Sequence, residues 1–352
     1  MRRFVCFAAV LLLLCGVCRA DGLGDIGSAI PDRVRETVGE SEGRIDAGGF
    51  FDRVLGSVKE TLSGSSRDIL RRAVSVVVIS LLCSLVGIFA DGQAAGYVPL
   101  CGCAAIILLC IGDIGSYIRL ASETVNEISV FSKVLLPAMC TLSAATGAIS
   151  SAAVRYAASA LFMDVYISVL QRVIMPCIYA YLAAGAAAAA FNNESLAAVS
   201  SALKWLVKAA MTVFSLGFTV YIAVSSAVAS GGDAVATKLA RTSISMLLPV
   251  VGGIISDAAS SVVAGAQVLR NSAGVLGLAA IIAICVSPLV TTGLSYLSFK
   301  AASALSSAFG TKEIGQLTGS IGTAFGMLLG LIGTCGIVLF ISTVTCIRTV
   351  TG

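Results

Sequence analysis

The sequence predicts an all-α, polytopic transmembrane helical bundle of about eight spans, with a three-plus-three inverted repeat. Three observations carry that expectation. Apolar residues make up 57% of the chain and charged residues 12%, far from the roughly 45–50% and 25% of soluble domains. Uncharged apolar runs recur along most of the length and reach the ~18–20 residues that a bilayer core demands. Four of the six prolines form two pairs with one internal spacing: Pro137 and Pro176 are 39 residues apart, and so are Pro249 and Pro288.

Residues 1–20 have the layout of a secretory signal peptide. Arg2 and Arg3 precede a short apolar core, and Cys18-Arg19-Ala20 places small residues at both cleavage-type positions. Arg19 next to the cut also fits an uncleaved signal anchor. Residues 21–72 form the one sizeable polar segment, expected as a short exported extension with an amphipathic stretch around Phe50 to Leu62. So few residues bury little core of their own. The transmembrane domain is expected over 73–348 and opens with two leading helices (73–118), built on the uncharged runs Ala73 to Ala90 and Ala94 to Gly112.

Two copies of a unit follow, at 133–232 and 245–347. A shift of 112 residues superimposes Leu135-Leu136-Pro137 on Leu247-Leu248-Pro249, and Pro176 on Pro288. Each copy is expected to hold a Leu-Leu-Pro span, a polar connector, a second proline-bearing span and a third span. The connectors carry Arg155, Asp164 and Arg172 in copy one, and Asp257, Gln267 and Arg270 in copy two. A short interfacial helix is expected before each third span, with Leu196, Val199 and Leu203 on one face, matched by Ile314, Leu317 and Ile321. Three crossings per copy, an odd number, would turn the second copy upside down relative to the first. Chance recurrence of prolines in apolar sequence is the competing explanation. The distribution of Lys and Arg between loops leaves orientation open.

Chemistry is constrained mainly by what is missing. The chain has no histidine, which removes the usual general base and the commonest zinc ligand. Neither Asp113 nor Asp233 sits in a Gly-x-Gly-Asp context, and there is no Gly-x-x-x-x-Gly-Lys-Ser/Thr phosphate loop. No enzyme activity, cofactor, metal or nucleic acid is implied. None of the twelve cysteines lies in the exported segment, so no disulfide is expected and the cysteines of the spans act as small hydrophobes.

The positions left as candidates are helix breaks and buried charges. Pro137, Pro176, Pro249 and Pro288 each remove a backbone hydrogen bond inside an apolar run. Asp164, Asp257 and Asp113, which ends the second leading helix, are ionisable groups in or beside spans, where charge is costly and usually faces a cavity or partner. All three also fit the ends of spans, reaching to the interface. Gly322, Gly326 and Gly330 recur every four residues, a spacing that allows close helix packing and, alternatively, a glycine-lined pore.

The stretch Lys133-Val-Leu-Leu-Pro137 and the longer Leu247-Leu-Pro-Val-Val-Gly-Gly-Ile-Ile-Ser-Asp257, in a serine- and alanine-rich setting behind a signal peptide, resemble the stage III sporulation protein AE family of endospore-forming bacteria. The resemblance covers nearly the whole mature chain. It implies a permease-like membrane component of the channel between mother cell and forespore, seated in the mother-cell-derived outer forespore membrane and needed for late forespore gene expression. It also implies partners: the other stage III sporulation A-operon proteins and stage II sporulation protein Q. It carries over no catalytic residue. A stand-alone secondary transporter, binding a small solute or ion between its repeats, is the alternative. A scaffold whose spans only anchor partners is a third reading.

Overall fold

The computed structural model describes residues 31, 47–89, 93–145, 149–247 and 252–348. The signal-peptide expectation falls on residues 1–20, outside the described residues, as does Pro249. Every element described is helical. The helices are α1 (Ala47–Phe89), α2 (Gln93–Ala145), α3 (Ile149–Val169), α4 (Met175–Phe191), α5 (Glu194–Leu247), α6 (Gly252–Phe309) and α7 (Lys312–Arg348), with a π-helical turn at Leu170–Ile174 joining α3 to α4.

The π turn has a local cause. Pro176 has no N–H to offer the preceding turn, and its ring crowds the carbonyl four residues back. One extra residue in the ladder relieves that conflict, and the Met175 N–H closes the wide turn on Leu170 O. Helix α6 accommodates Pro288 without such a turn.

Side-chain pairs fix the direction of every rod. Arg72 pairs with Asp113 while Cys83 lies against Gly102, so α1 and α2 are antiparallel. Phe162 packs on Phe218 and Tyr166 on Phe214, which runs α3–α4 against α5. Ser342 Oγ donates to Ser159 Oγ at 2.7 Å and Tyr166 OH to Thr334 Oγ1 at 2.5 Å, so α3–α4 is also antiparallel to α7. Lys300 reaches Gly319, Tyr296 lies at Gly326 and Cys285 at Gly336, which makes α6 antiparallel to α7. Leu135 and Met139 of α2 meet Gly277 and Gly274 of α6 in the same antiparallel sense. The described helices therefore alternate in direction as six rods.

Six helices are long and apolar enough to cross a membrane among the described residues: Asp52–Phe89, Tyr97–Ala144, Ser159–Phe191, Glu194–Tyr221, Asn271–Phe309 and Lys312–Ile347. The expected eight differ by the two Leu-Leu-Pro spans. Residues 134–145 complete α2 and 149–154 begin α3; likewise α5 carries Thr242 to Leu247 and α6 opens at Gly252. An apolar run shows where a helix can be buried, not where the chain reverses.

The two segments expected as copies of a unit can be compared by the direction of their helices. Most of each segment is a hairpin of two long rods, α3–α4 with α5 and α6 with α7, and the Leu-Leu-Pro end of the first belongs to α2. Because α3–α4 and α6 both run antiparallel to α7, the helices bearing Pro176 and Pro288 are parallel to each other. The two hairpins thus point the same way, whereas the inversion expected from three crossings per copy would oppose them. The expected connectors also lie within helix: Arg155 and Asp164 in α3, Arg172 in the π turn, and position 257 in α6. The expected interfacial helices continue directly into the following rods. Ile314, Leu317 and Ile321 are buried, but Val199 is exposed.

The two hairpin turns solve the same problem differently. Asn192 ends α4 in the left-handed region at φ 47°, and Asn193 Oδ1 accepts from the Ser195 and Leu196 N–H groups at the start of α5. Asn193→Ala should therefore cost about 1 kcal/mol, the usual value of an N-cap, measurable as a lowered thermal midpoint in detergent. In the second hairpin Gly310 N–H bonds Ser306 O at 2.9 Å, and a Cβ there would run into the Ser80 side chain and meet Ser306 O at 2.7 Å.

Helix α7 is the centre of the bundle and packs against every other α-helix. Its glycines make that possible. A Cβ at Gly322 would lie 3.3 Å from the Lys300 backbone N and the Phe299 Cβ, at Gly326 2.9 Å from the Tyr296 ring, and at Gly330 3.0 Å from Met211 Cε. Around this axis lie Phe131, Phe218, Phe325 and Tyr166, all fully buried. The expected exported segment contributes more than an extension. Its residues 47–72 are continuous with the following span in α1, and Phe50 is buried against Ala279 and Ile282 of α6.

Candidate functional site

The sequence-derived candidates are not brought together. Asp164 and Arg172 are exposed on the outer side of α3 and the π turn, and Pro176 is exposed beside them. Pro137 is half-buried near the end of α2, eight residues before Ala145, and Pro288 is buried in α6. The side chain of Asp257 lies outside the described residues.

What the fold does assemble is a polar strip between α1, α2 and α6. At its head the Arg72 guanidinium pairs with Asp113 Oδ1. The second carboxylate oxygen, Oδ2, is buried without a hydrogen-bond partner. Tyr117, one turn further along α2, hydrogen-bonds with the Ser295 side chain of α6. Ser295 Oγ donates to Thr291 O at 3.0 Å, and Thr291 Oγ1 in turn donates to Ser287 O at 2.9 Å. Thr292 is fully buried, and its hydroxyl has no partner. Thr61 of α1 closes the far end on Ser287 Oγ at 3.4 Å.

The placement of Pro288 ties this strip to the helix break. It follows Ser287 and precedes Thr292 by one turn, and its missing N–H leaves the Ile284 carbonyl without the usual helical donor. A stretch of α6 that is uncharged from Asn271 to Phe299 thus presents four hydroxyls and a weakened backbone ladder to the Asp113 carboxylate of α2. An ionised carboxylate is held inside an apolar bundle only by a partner charge and hydrogen bonds. Arg72 supplies the charge, and one acceptor oxygen is left over for a water, proton or small cation.

Sequence reasoning reached Asp113 as a lone acid at a span end and missed the rest of the group, for an identifiable reason. Asp113 stood as the end of a span and Arg72 as the last residue of an exported segment. Each is a lone charge at the edge of an apolar run, and only the antiparallel register of α1 on α2 shows that they meet. The signal available was their sign: one acid and one base, each closing an apolar run of similar length.

Comparison with known proteins settles the family. The description of stage III sporulation protein AE matches residues 31–350. The chain belongs to the stage III sporulation protein AE family. Among curated proteins it is similar to the stage III sporulation protein AE of Bacillus subtilis (strain 168), 24% identical over 200 residues. That alignment covers 57% of this chain and spans half the length of the relative. No solved structure matches the chain. The family and the six span-capable helices together make the chain a multi-pass membrane protein of a sporulation family.

Among the described residues there is no group of three or more His, Cys, Asp or Glu able to hold a metal ion. Cys101 is exposed and Cys103 buried, so the Cys101-Gly-Cys103 pair straddles the surface of α2 rather than converging on a ligand.

Proposed function

We propose that this member of the stage III sporulation protein AE family is a non-enzymatic integral membrane subunit of a transport channel between mother cell and forespore. It sits in the outer forespore membrane and supports late forespore gene expression. Its partners are the other stage III A-operon proteins and stage II sporulation protein Q. The observation that carries this reading is the family match, which runs from residue 31 to 350 and so takes in every described helix. In this role Pro137, Pro249 and Pro288 are helix breaks beside the working path and Asp257 a polar position along it; Pro176 and Asp164, exposed on the outer side, meet the path where a partner subunit packs on that face. Gly322, Gly326 and Gly330 serve close packing. Residues 1–20 act as the export signal and 21–72 begin on the exported side.

An affinity-tagged copy isolated in mild detergent from its own sporulating host should bring down other A-operon proteins in near-stoichiometric amounts. Recovery of the tagged chain alone, from cells in which those proteins are present, would overturn the reading.

The polar strip favours one second reading, a secondary transporter that binds a small ion or solute. The buried, unpartnered Asp113 Oδ2 is the observation behind it. Purified protein in liposomes should then show solute or ion flux that Asp113→Asn abolishes. Flux unaffected by that change would remove this reading.

A further inference from the structure

A second polar cluster lies on the opposite side of α7, and neither the family nor the strip accounts for it. Lys300 is the lone charge in the 271–311 stretch, and its chain carries it sideways onto α7. There Lys300 Nζ donates to Gly319 O at 3.1 Å and to Thr323 Oγ1 at 2.8 Å. Thr323 Oγ1 donates to Gly319 O at 2.8 Å. From α4 the Tyr181 hydroxyl hydrogen-bonds with Thr323 and Ser320. Next to it a Cβ on Gly185 would sit 3.2 Å from Ser320 Oγ and 3.4 Å from Ser200 Oγ, which brings α5 into the same group. One and two turns beyond Ser200, α5 carries Lys204 and Lys208, and these two are the charges that act on the Lys300 ammonium.

The charge arithmetic at this place is one-sided. The charges that act on Lys300 are Lys204 and Lys208, with no carboxylate among them, and the approach of Ser200 to Gly185 and Ser320 brings this end of α5 to the same group. Like charges so placed repel, and more strongly beside an apolar bundle than in water. Three lysines, with the hydroxyls of Tyr181, Ser200, Ser320 and Thr323 around them, make a donor-rich surface. An ammonium has three protons, and Lys300 uses two, on Gly319 O and Thr323 Oγ1. Trp205, 69% exposed, follows Lys204 directly; an exposed tryptophan among lysines is the usual furniture of a membrane–water interface.

We propose that Lys204, Lys208 and Lys300, with the Tyr181 and Thr323 hydroxyls, form a binding site for a phosphate-bearing anion at the junction of α4, α5, α6 and α7. Lysine binds phosphate as a point charge, and the hydroxyls add orientation. The phosphate comes either from the headgroup of an anionic lipid or from free inorganic phosphate. Occupancy would neutralise the lysines and tie the α3–α4/α5 hairpin to the α6/α7 hairpin. The site is independent of the sporulation-channel reading.

The full chain, purified in uncharged detergent at fixed ionic strength, is mixed with phosphatidylglycerol, phosphatidylcholine or inorganic phosphate. Lipid retention is followed by native mass spectrometry and stability by thermal unfolding. Phosphatidylglycerol, and not phosphatidylcholine, should be retained and raise the thermal midpoint. The Lys204→Gln/Lys208→Gln variant should weaken retention roughly tenfold, the effect of losing one or two charge-assisted contacts. Arg67→Gln/Arg71→Gln, which removes two exposed charges elsewhere, should leave retention unchanged. Stabilisation by inorganic phosphate alone, lost in the lysine variant, upholds the site and assigns it to a free anion. Lys300→Gln should abolish binding; if it does not fold, the double variant decides. Equal retention by wild type and the lysine variant, equal loss in the arginine control, or no response to either phosphate source would overturn the proposal.

Discussion

Gly326→Leu is expected to lower the stability of the folded bundle by about 3 kcal/mol or more, the upper range for overpacking a close-packed interior. The Cβ alone would lie 2.9 Å from the Tyr296 ring, and a leucine adds three further carbons in the same direction. Gly322→Leu should be at least as severe, because its obstacle is the α6 backbone at Lys300 and Phe299, which cannot rotate away. Gly217 is the internal control. It lies in α5, and a Cβ there would meet nothing within 4 Å. Gly217→Ala should be neutral or stabilising by up to about 1 kcal/mol, since alanine is the better helix former. Thermal or denaturant unfolding of the three variants in one detergent makes the comparison. Similar midpoints for Gly326→Leu and Gly217→Ala would mean that α6 and α7 do not approach as described.

The second large effect is expected at the ion pair. Arg72→Met should be strongly destabilising, because it leaves the Asp113 carboxylate, 14% exposed, without a counter-charge. Breaking a fully buried pair from one side costs about 3–5 kcal/mol; the 45% exposure of Arg72 places this pair toward the lower end or below it. Asp113→Asn should cost less, since the arginine that remains is half in solvent. Arg72→Met combined with Asp113→Leu should recover much of the loss, because two apolar groups leave nothing unpaired. A double-mutant cycle on unfolding midpoints checks this. Strictly additive effects would show that the two residues do not interact. A milder loss, about 1 kcal/mol, is expected for Tyr166→Phe, which removes the 2.5 Å bond to Thr334 and leaves the ring packing on Phe162 and Phe214 intact.

The helical class and the family were legible in the residues, for different reasons. Long uncharged runs force helices, because a backbone in lipid must satisfy its own hydrogen bonds. The Leu-Leu-Pro-Val-Val-Gly-Gly stretch carried the family. Reversals were harder to place. Apolar composition is the same on both sides of Ala145 and Ile149, so the run from Val134 to Val154 looked like one span. Misplacing that reversal, and the matching one between α5 and α6, added a crossing to each expected copy, and three crossings per copy is what implied an inversion. The candidate site was less legible still. Arg72 with Asp113, and Tyr117 with Ser295, are brought together by register between helices, which depends on how ridges and glycines interlock rather than on any local pattern. Asp164 illustrates the converse: an acid in an apolar helix is a good candidate from sequence, yet it faces outward here.

The account depends most on the direction of the two hairpins around α7. Disulfide trapping in native membranes tests that directly, on a background with the natural cysteines replaced. Ser159→Cys paired with Ser342→Cys should cross-link rapidly on oxidation, since the two hydroxyls are 2.7 Å apart. Ser159→Cys paired with Ser320→Cys, at the other end of α7, should not. The reverse pattern would contradict the parallel arrangement of the Pro176 and Pro288 helices.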